Sequence, residues 1–224
     1  MKKIIIAIDG PAGSGKTTSA RNVARNLDYI YIDTGAMYRA VTLECFRQGI
    51  MADDTKSIIR ISNDIKVELT SINGHQRTFL NGEDVSDEIR TPQVTLLVSP
   101  VSAVKEVREK LVEMQRQMGC NGGVVMDGRD IGTVVFPQAE LKIFLVASVE
   151  TRAMRRYLEN KNKIISEPLE VIQKLIIERD RYDSSRENSP LKQAEDAILI
   201  DTSKMTIEEQ TQKIISLAKK IINN

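Results

Sequence analysis

Residues 4–17 read IIIAIDGPAGSGKT, and this stretch decides how the rest of the chain is interpreted. Its last eight residues match the pattern G-x-x-x-x-G-K-[ST] at every fixed position, directly after an apolar run that is typical of a buried strand. Glycine accepts a positive φ and carries no Cβ, so this backbone can bring its N–H groups close to a polyphosphate. The stretch predicts a phosphate-binding loop between a strand and a helix that starts near Lys16.

The loop also predicts the residues that hold a nucleotide and its metal ion. Lys16 supplies a mobile positive charge for the β- and γ-phosphate oxygens, and the Thr17 hydroxyl is placed to ligate Mg²⁺. Asp127, which ends another apolar run, is a second candidate anchor for the ion through water. The predicted nucleotide-binding residues are Gly10, Pro11, Ala12, Gly13, Ser14, Gly15, Lys16, Thr17 and Thr18.

Composition and charge narrow the class of protein. The 224 residues carry 32 Lys and Arg against 31 Asp and Glu, and the net charge of +1 gives no general attraction to nucleic acid or anionic membranes. No stretch approaches the roughly 18 apolar residues of a membrane span. We therefore expect a cytoplasmic protein that binds small molecules, with no nucleic acid and no membrane as partner. We expect a monomer, because no long apolar seam is left once the core helices are assigned.

Apolar runs and helical patterns alternate along the chain. The predicted strands are 4–8, 29–32, 124–126, 141–146 and 197–200, and the clearest amphipathic helices are 103–118 and 206–222. This alternation predicts an α/β fold of the P-loop nucleoside triphosphate hydrolase type, a parallel sheet with helices on both faces. Ligands of such sheets bind beyond the carboxyl ends of the strands. Polar motifs follow three of these ends, at 10–17, 33–35 and 127–130, and we expect them to face one crevice.

Residues 63–90 break this pattern. Apolar and charged residues alternate from Ile65 to Leu69, and Asn73-Gly74 and Asn81-Gly82 are both favoured hairpin turns. A small antiparallel β insertion is therefore expected. The pattern alone leaves its role open between closing over a substrate and a stabilising decoration.

Arginines occur where they could bind several phosphates. Arg39 lies about one turn into a helix that begins at a strand end, and Arg129 follows another strand. Two further groups lie on predicted helices. One face of a helix carries Arg179, Asp183 and Arg186, and one turn of another helix carries Arg152, Arg155 and Arg156. Taken alone, such groups are also typical of a solvated helix face with weak surface ion pairs.

Four motifs along the chain read DGPAGSGK at 9–16, DTGAMYR at 33–39, DGRDIGTVVFP at 127–137 and ERD at 178–180. The phosphate loop is shared by many families, whereas the second and third motifs together are specific. With these motifs the chain resembles, over essentially its full length, the bacterial cytidylate kinases, a family of nucleoside monophosphate kinases. The resemblance implies transfer of the γ-phosphoryl group of ATP to CMP and dCMP, with Mg²⁺ as cofactor.

The resemblance also implies a role for each candidate residue. The residues implied in catalysis are Lys16, Arg129, Arg179 and Arg186. Those implied to bind the substrate are Thr34, Arg39, Ser99, Arg108, Arg129, Asp130, Asp183 and Arg186. Of these, the CMP phosphate falls to Arg39, Arg129 and Arg186 with Arg179 nearby, the cytosine to Ser99, Arg108 and Asp130, and the ribose hydroxyls to Asp183.

By the same resemblance the chain is a single kinase domain with three parts. The core spans about 1–62, 91–150 and 187–224, the β-rich monophosphate-binding insertion about 63–90, and the arginine-rich lid about 151–186. The lid arginines are Arg152, Arg155 and Arg156. The segment from Arg152 to Lys163 is rich in arginine and poor in core residues, and we expect the lid to close and to exclude water.

Two other functions are weighed against this one. A GTP-dependent switch would carry an Asp with Gly three residues later and an Asn-Lys-x-Asp motif, and neither occurs. Another small-molecule kinase could act on AMP, UMP or a hydroxyl acid. Asp130 favours cytosine, because a carboxylate accepts from its N4 amino group whereas uracil presents a carbonyl oxygen there.

Overall fold

The computed structural model describes residues 2–72, 74–162 and 167–223, which form two compact units. The first unit contains the chain up to Ile30 and from Gly122 onward, and the second is Tyr31–Asn121. The predicted β insertion 63–90 lies in the second unit, together with the segments 31–62 and 91–121 that were predicted as core. Of the predicted lid, residues 163–166 lie outside the described residues.

The predicted parallel sheet has five strands, four of which lie wholly in the first unit, while the strand that begins at Ile30 continues into the second unit. Its strands are β1 (Ile5–Asp9), β2 (Ile30–Asp33), β6 (Val124–Gly128), β7 (Leu141–Val146) and β8 (Ile198–Asp201). The strand order is β2-β6-β1-β7-β8, and Asp9 is in register with Gly128 on one side and Phe144 on the other. The β1 side chains from Ile6 to Ile8 are fully buried, as expected for a central strand covered on both faces.

Helices cover this sheet and extend beyond it. They are α1 (Lys16–Leu27), α6 (Val149–Asn162), α7 (Leu169–Ser185) and α8 (Ile207–Ile222). Helices α1 and α8 pack against each other, and α6 packs on α7 through a small apolar cluster around Ala153, Ile172 and Ile176. This cluster and the burial of Arg152 show that the start of α6 belongs to the packed part of the unit. The expectation that the segment from Arg152 to Lys163 is poor in core residues is therefore wrong for Arg152 and Ala153, which are buried.

The second unit is built around its own apolar core. Its helices are α2 (Thr34–Arg47), α3 (Thr55–Asp64), α4 (Pro92–Ala103) and α5 (Lys105–Gly119), and its antiparallel sheet has the order β3-β4-β5, with β3 (Val67–Ile72), β4 (His75–Leu80) and β5 (Glu83–Asp84). Buried side chains of α2, α4 and α5, among them Met37, Val98 and Leu111, meet in this core. The predicted insertion is thus part of a larger compact unit, and its buried side chains pack in the same core as those of the helices.

Most predicted elements are confirmed with small shifts in their ends. The turn at Asn81-Gly82 has positive φ at both residues, 52° and 86°, as the two-residue hairpin turn requires. In the other predicted turn, Asn73 lies outside the described residues. The helix predicted over 103–118 begins at Lys105, because Ala103 ends α4, which the periodicity did not reveal.

Candidate active site

The phosphate loop connects β1 to α1 as predicted. Gly10, Gly13 and Gly15 have φ values of 150°, 77° and 90°. A Cβ at Gly10 would lie 2.1 Å from the carbonyl oxygen of Leu145, so only glycine fits there. Gly15, the N-cap of α1, has no side chain that could cap the helix, and a helix N-terminus of this kind suits an anion through its N–H groups and the positive end of its dipole.

Lys16 is buried and folds back over the loop. Its ammonium donates to the carbonyl oxygen of Pro11 at 3.0 Å, one of its contacts. This position keeps the charge at the mouth of the anion site. The neighbouring Thr17 hydroxyl donates to Oδ2 of Asp127 at 2.8 Å, so the two predicted metal residues meet.

The pair of Thr17 and Asp127 suits a magnesium ion. Among residues 2–72, 74–162 and 167–223, no three His, Cys, Asp or Glu side chains form a group that could hold a metal by themselves. Mg²⁺ prefers hard oxygen ligands and is usually held by one or two protein groups together with waters and substrate phosphates. The donor set therefore fits an ion that binds together with a nucleotide.

Arginine side chains also donate hydrogen bonds to the backbone carbonyls of the phosphate loop. Arg152 donates to the Ala12 carbonyl at 3.2 Å and Arg155 to the Gly13 carbonyl at 3.3 Å. Arg152 also donates to Ala147 and pairs with Asp180 at 2.6 Å, whereas Arg156 is 43% exposed and pairs with Glu159 on its own helix. Two of the three predicted lid arginines thus contact the loop backbone in this structure.

Three arginines of the first unit lie around the buried carboxylate of Asp183. Its Oδ2 accepts from Arg129 Nε at 2.9 Å and lies 4.0 Å from Arg179 Nε, one turn earlier on α7. Burial alone would raise the pKa of Asp183, but Arg129, Arg179 and Arg186 outweigh burial and hold that pKa below its ordinary value. Burial and the neighbouring charge of Arg129 lower the pKa of Arg179 to about 10. The cluster is cationic overall and is suited to an anionic ligand.

Arg186 and Asp130 lie at the ends of elements in the same unit. Arg186 follows the last residue of α7, and its Nε donates to the Ser189 carbonyl at 2.6 Å. Asp130 is buried and begins a π-helical turn over Ile131–Val135, in which the Val135 N–H donates to its carbonyl at 3.2 Å. Such turns are frequent at functional sites.

Asp9 supports this turn, a role that the sequence did not reveal. Its two carboxylate oxygens accept the N–H groups of Ile131 and Gly132, both at 2.8 Å. Burial raises the pKa of Asp9 to about 7, although both N–H groups lower it in part. The available signal was a carboxylate at the carboxyl end of the first predicted strand.

The second unit holds the remaining candidate residues. Asp33 caps α2 by accepting from the Ala36 N–H at 3.1 Å, which places the buried Thr34 in the first turn. Arg39 donates to the Ile89 carbonyl at 3.2 Å and to Thr95 Oγ1 at 2.8 Å. The 3₁₀ turn Glu88–Arg90 and α4 thereby orient its guanidinium.

Arg108 and Ser99 lie on neighbouring helices of that unit. Arg108, on α5, is buried, donates to the Ser102 carbonyl at 3.0 Å and stacks over the Tyr38 ring at 5.0 Å from its centroid. These contacts hold its head group at the edge of the apolar core. Ser99 is half-buried on α4, and its carbonyl accepts from Ser102.

Comparison with known families decides the classification of this chain. The model of the family described as cytidylate kinase matches residues 6–220. The chain belongs to the cytidylate kinase family. A cytidylate kinase of Ligilactobacillus salivarius is 52% identical over 97% of both chains, and one of Caldicellulosiruptor bescii is 50% identical over 100% of this chain and 99% of its own. The resemblance that the motifs indicated is confirmed, and the protein is a kinase.

Solved structures show the same fold at low sequence identity. An uncharacterized protein from Eubacterium ventriosum aligns over 98% of this chain and 99% of its own, with a TM-score of 0.55 and 13% identity. The shikimate kinase from Bacteroides thetaiotaomicron aligns over 97% and 99%, with a TM-score of 0.52 and 13% identity. These likenesses confirm the α/β kinase fold. In the described part of the chain, none of the helices combines the length and the apolar character that crossing a membrane would require.

Proposed function

We propose that this protein transfers the γ-phosphoryl group of ATP to CMP, and also to dCMP, giving the nucleoside diphosphate and ADP. The observation that carries the proposal is the identity of about 50% to relatives named cytidylate kinase, over nearly the whole chain. The phosphate loop, the metal pair and the arginine cluster around Asp183 supply the chemistry that this reaction needs.

ATP is assigned to the phosphate loop, residues 10–18. Its backbone N–H groups and the start of α1 would bind the phosphates, and Lys16 would leave the Pro11 carbonyl to follow the β- and γ-oxygens. Thr17 and Asp127 would hold Mg²⁺, which neutralises charge on the transferred group when it is bound. Arg152, Arg155 and Arg156 are assigned to the closing segment beside the loop.

CMP is assigned to the residues that the resemblance to the family implies. The phosphate falls to Arg39, Arg129 and Arg186 with Arg179 nearby, the base to Ser99, Arg108 and Asp130, and the sugar to Asp183, with Thr34 as a further contact. The bond from Arg129 to Asp183 supports an additional role for this carboxylate, because it fixes the direction of a guanidinium that would otherwise have several rotamers.

The acceptor needs no dedicated general base. The second pKa of a phosphate monoester is near 6, so the attacking oxygen of CMP is already anionic at neutral pH. Catalysis then consists of aligning the two phosphates and neutralising the charge on the transferred group, which are tasks for Lys16 and for the arginines.

The proposal is tested by ADP release from ATP and Mg²⁺ with CMP, dCMP, UMP or AMP, for wild type, Lys16→Ala and Asp130→Asn. We expect turnover with CMP to fall about a hundredfold or more in Lys16→Ala. We expect the preference for CMP over UMP to fall about ten- to a hundredfold in Asp130→Asn, because Asn can donate to the uracil carbonyl.

A matched control is Asp53→Asn, which makes the same change at an exposed position and is expected to leave both quantities unchanged. Turnover with AMP or UMP but not with CMP would contradict the assigned substrate. An unchanged base preference in Asp130→Asn would contradict the role of Asp130 alone. The monomeric state and the cytoplasmic location stay predictions, of which sedimentation tests the first.

A further inference from the structure

Thr202, directly after β8, is not among the residues that the proposed function assigns to ATP, CMP or Mg²⁺. It is 0% exposed, and its N–H donates to the Val146 carbonyl at 2.8 Å. Its hydroxyl lies 2.9 Å from the Ser14 carbonyl oxygen and 3.0 Å from that of Val146. The residue therefore joins the end of β8 both to the end of β7 and to the phosphate loop.

Thr202 completes a row of donors on the carbonyl side of the loop. The carbonyls of Ala12, Gly13 and Ser14 accept from Arg152, Arg155 and Thr202 in that order. The N–H and C=O of one peptide unit point in opposite directions, so a donor that holds the carbonyl also fixes the direction of the N–H. Three consecutive peptides of the loop are therefore oriented from outside the anion site.

The bond from Thr202 governs the peptide between Ser14 and Gly15. Gly15 has a φ of 90°, and a Cβ there would lie 2.7 Å from Oε1 of Gln210, a buried side chain of α8. Ser19 on α1 donates to the same oxygen at 3.0 Å. Thr202 thus bonds to the Ser14 carbonyl, and the Gln210 side chain lies against Gly15. These two contacts restrict the backbone at the point where the loop enters α1.

Arg155 sets the direction of the Thr202 hydroxyl. Its Nη2 donates to the Thr202 carbonyl at 2.7 Å and its Nη1 to Oγ1 at 3.2 Å. A guanidinium has donors only, so Oγ1 acts as an acceptor in this contact. The single hydroxyl hydrogen is then directed to the carbonyls of Ser14 and Val146.

We infer that Thr202 is a positioning residue for ATP, which through the Ser14 carbonyl holds the N–H of Gly15 in the orientation that binds phosphate. The inference rests on the proposed assignment of ATP to the loop. Orienting donors before the ligand arrives lowers the ordering cost of binding, so loss of this bond weakens ATP binding and leaves CMP binding unaffected.

The test compares Thr202→Val with Thr202→Ser and with the control Thr211→Val. Valine keeps the shape of threonine but loses the hydroxyl, and serine keeps the hydroxyl. Thr211 is also buried, but its hydroxyl donates at 2.7 Å to the Ile207 carbonyl of its own helix, so its replacement removes a similar bond that does not involve the loop. The Michaelis constants for ATP and CMP, kcat and the melting temperature are measured for each protein.

We expect the Michaelis constant for ATP to rise about five- to tenfold in Thr202→Val, the effect of one lost neutral hydrogen bond, while that for CMP stays within about twofold. Thr202→Ser should restore the wild-type value, and Thr211→Val should lower the melting temperature only. Should Thr202→Val not fold, Thr202→Ala is compared with Thr211→Ala in the same way.

Three results would overturn the inference. The first is a Michaelis constant for ATP in Thr202→Val that is no higher than in Thr211→Val. The second is an equal rise of the Michaelis constants for ATP and CMP in Thr202→Val. The third is that Thr202→Ser does not restore the wild-type Michaelis constant for ATP. Failure of the proposed function is seen separately, because wild type would then show no ADP release with CMP, whatever the residue at position 202.

Discussion

Two buried carboxylates of the first unit, Asp9 and Asp183, have opposite electrostatic surroundings. They are 5% and 4% exposed, so burial disfavours the charge of both. Asp9 accepts from two backbone N–H groups, and burial raises its pKa to about 7. Asp183 faces Arg129, Arg179 and Arg186, and its pKa is held below the ordinary value.

The difference shows how one chemical group serves two purposes in one site. Asp9 shapes the backbone, because it fixes the turn that follows Asp130. Asp183 organises charge, because it holds side-chain cations that would otherwise repel one another. Burial alone decides neither role, since the partners decide whether a buried carboxylate keeps its charge.

The largest effect is expected for Asp183→Asn. The change removes a negative charge that faces three arginines while keeping the shape of the side chain, so Arg129 and Arg179 lose their common partner. We expect the free energy of unfolding to fall by about 2 to 4 kcal/mol and kcat/KM for CMP to fall about a hundredfold. Urea unfolding and initial rates measure the two quantities, with Asp53→Asn as control. An activity within about twofold of wild type would contradict the organising role.

A smaller effect is expected for Asp9→Asn. Asparagine has one acceptor oxygen, so one of the N–H groups of Ile131 and Gly132 loses its partner and faces an amide donor instead. We expect a loss of stability of about 1 to 3 kcal/mol and a loss of CMP turnover of about tenfold. Unfolding and rate measurements on the same preparations as Asp183→Asn place the two changes on one scale. A turnover effect larger than that of Asp183→Asn would reverse the comparison.

The effect that is smallest per pH unit is a pH dependence of stability with opposite signs for the two residues. Between the ordinary pKa of 3.8 and about 7, Asp9 keeps its proton in the folded protein and loses it on unfolding. Its contribution to stability is therefore present at low pH and is lost as pH rises through that window, by at most about 1.4 kcal/mol per pH unit. The contribution of Asp183 is present above its ordinary pKa and is lost as pH falls below it.

Urea unfolding of wild type and both Asn variants across this range measures these contributions. The stability difference between wild type and Asp9→Asn should shrink as pH rises from about 4 to about 7, whereas that for Asp183→Asn should stay constant there and shrink only at lower pH. A constant difference for Asp9→Asn would show that Asp9 titrates normally in the folded protein.

The sequence predicts best those features that depend on neighbours along the chain. The phosphate loop, the hairpin turn at Asn81-Gly82 and the ion pair of Arg179 with Asp183 follow from local spacing, and the structure has all three. The strands ending at the loop and at Asp127 imply that these motifs meet, and the bond from Thr17 to Asp127 confirms it.

Features that depend on distant partners could not be read in this way. Arg129 and Asp183 are 54 positions apart, and only the fold brings them together. Arg152 reads as a solvated lid residue by composition, but Asp180 and the carbonyls of Ala12 and Ala147 give its buried guanidinium partners. Thr202, like Thr34, is a polar residue at the carboxyl end of a strand, and this position could have marked it as a candidate residue. No sequence pattern reveals that its hydroxyl bonds to the backbone carbonyl of Ser14.

Calorimetric titration of CMP and of cytidine into wild type and Asp183→Asn tests most directly whether Asp183 organises an anion site. We expect the affinity for CMP to fall about tenfold more than that for cytidine in the variant, because loss of the sugar contact affects both ligands alike and only CMP carries the phosphate that the arginines bind. A cytidine affinity that falls as much as that of CMP would contradict this role and would leave Asp183 with the sugar contact alone.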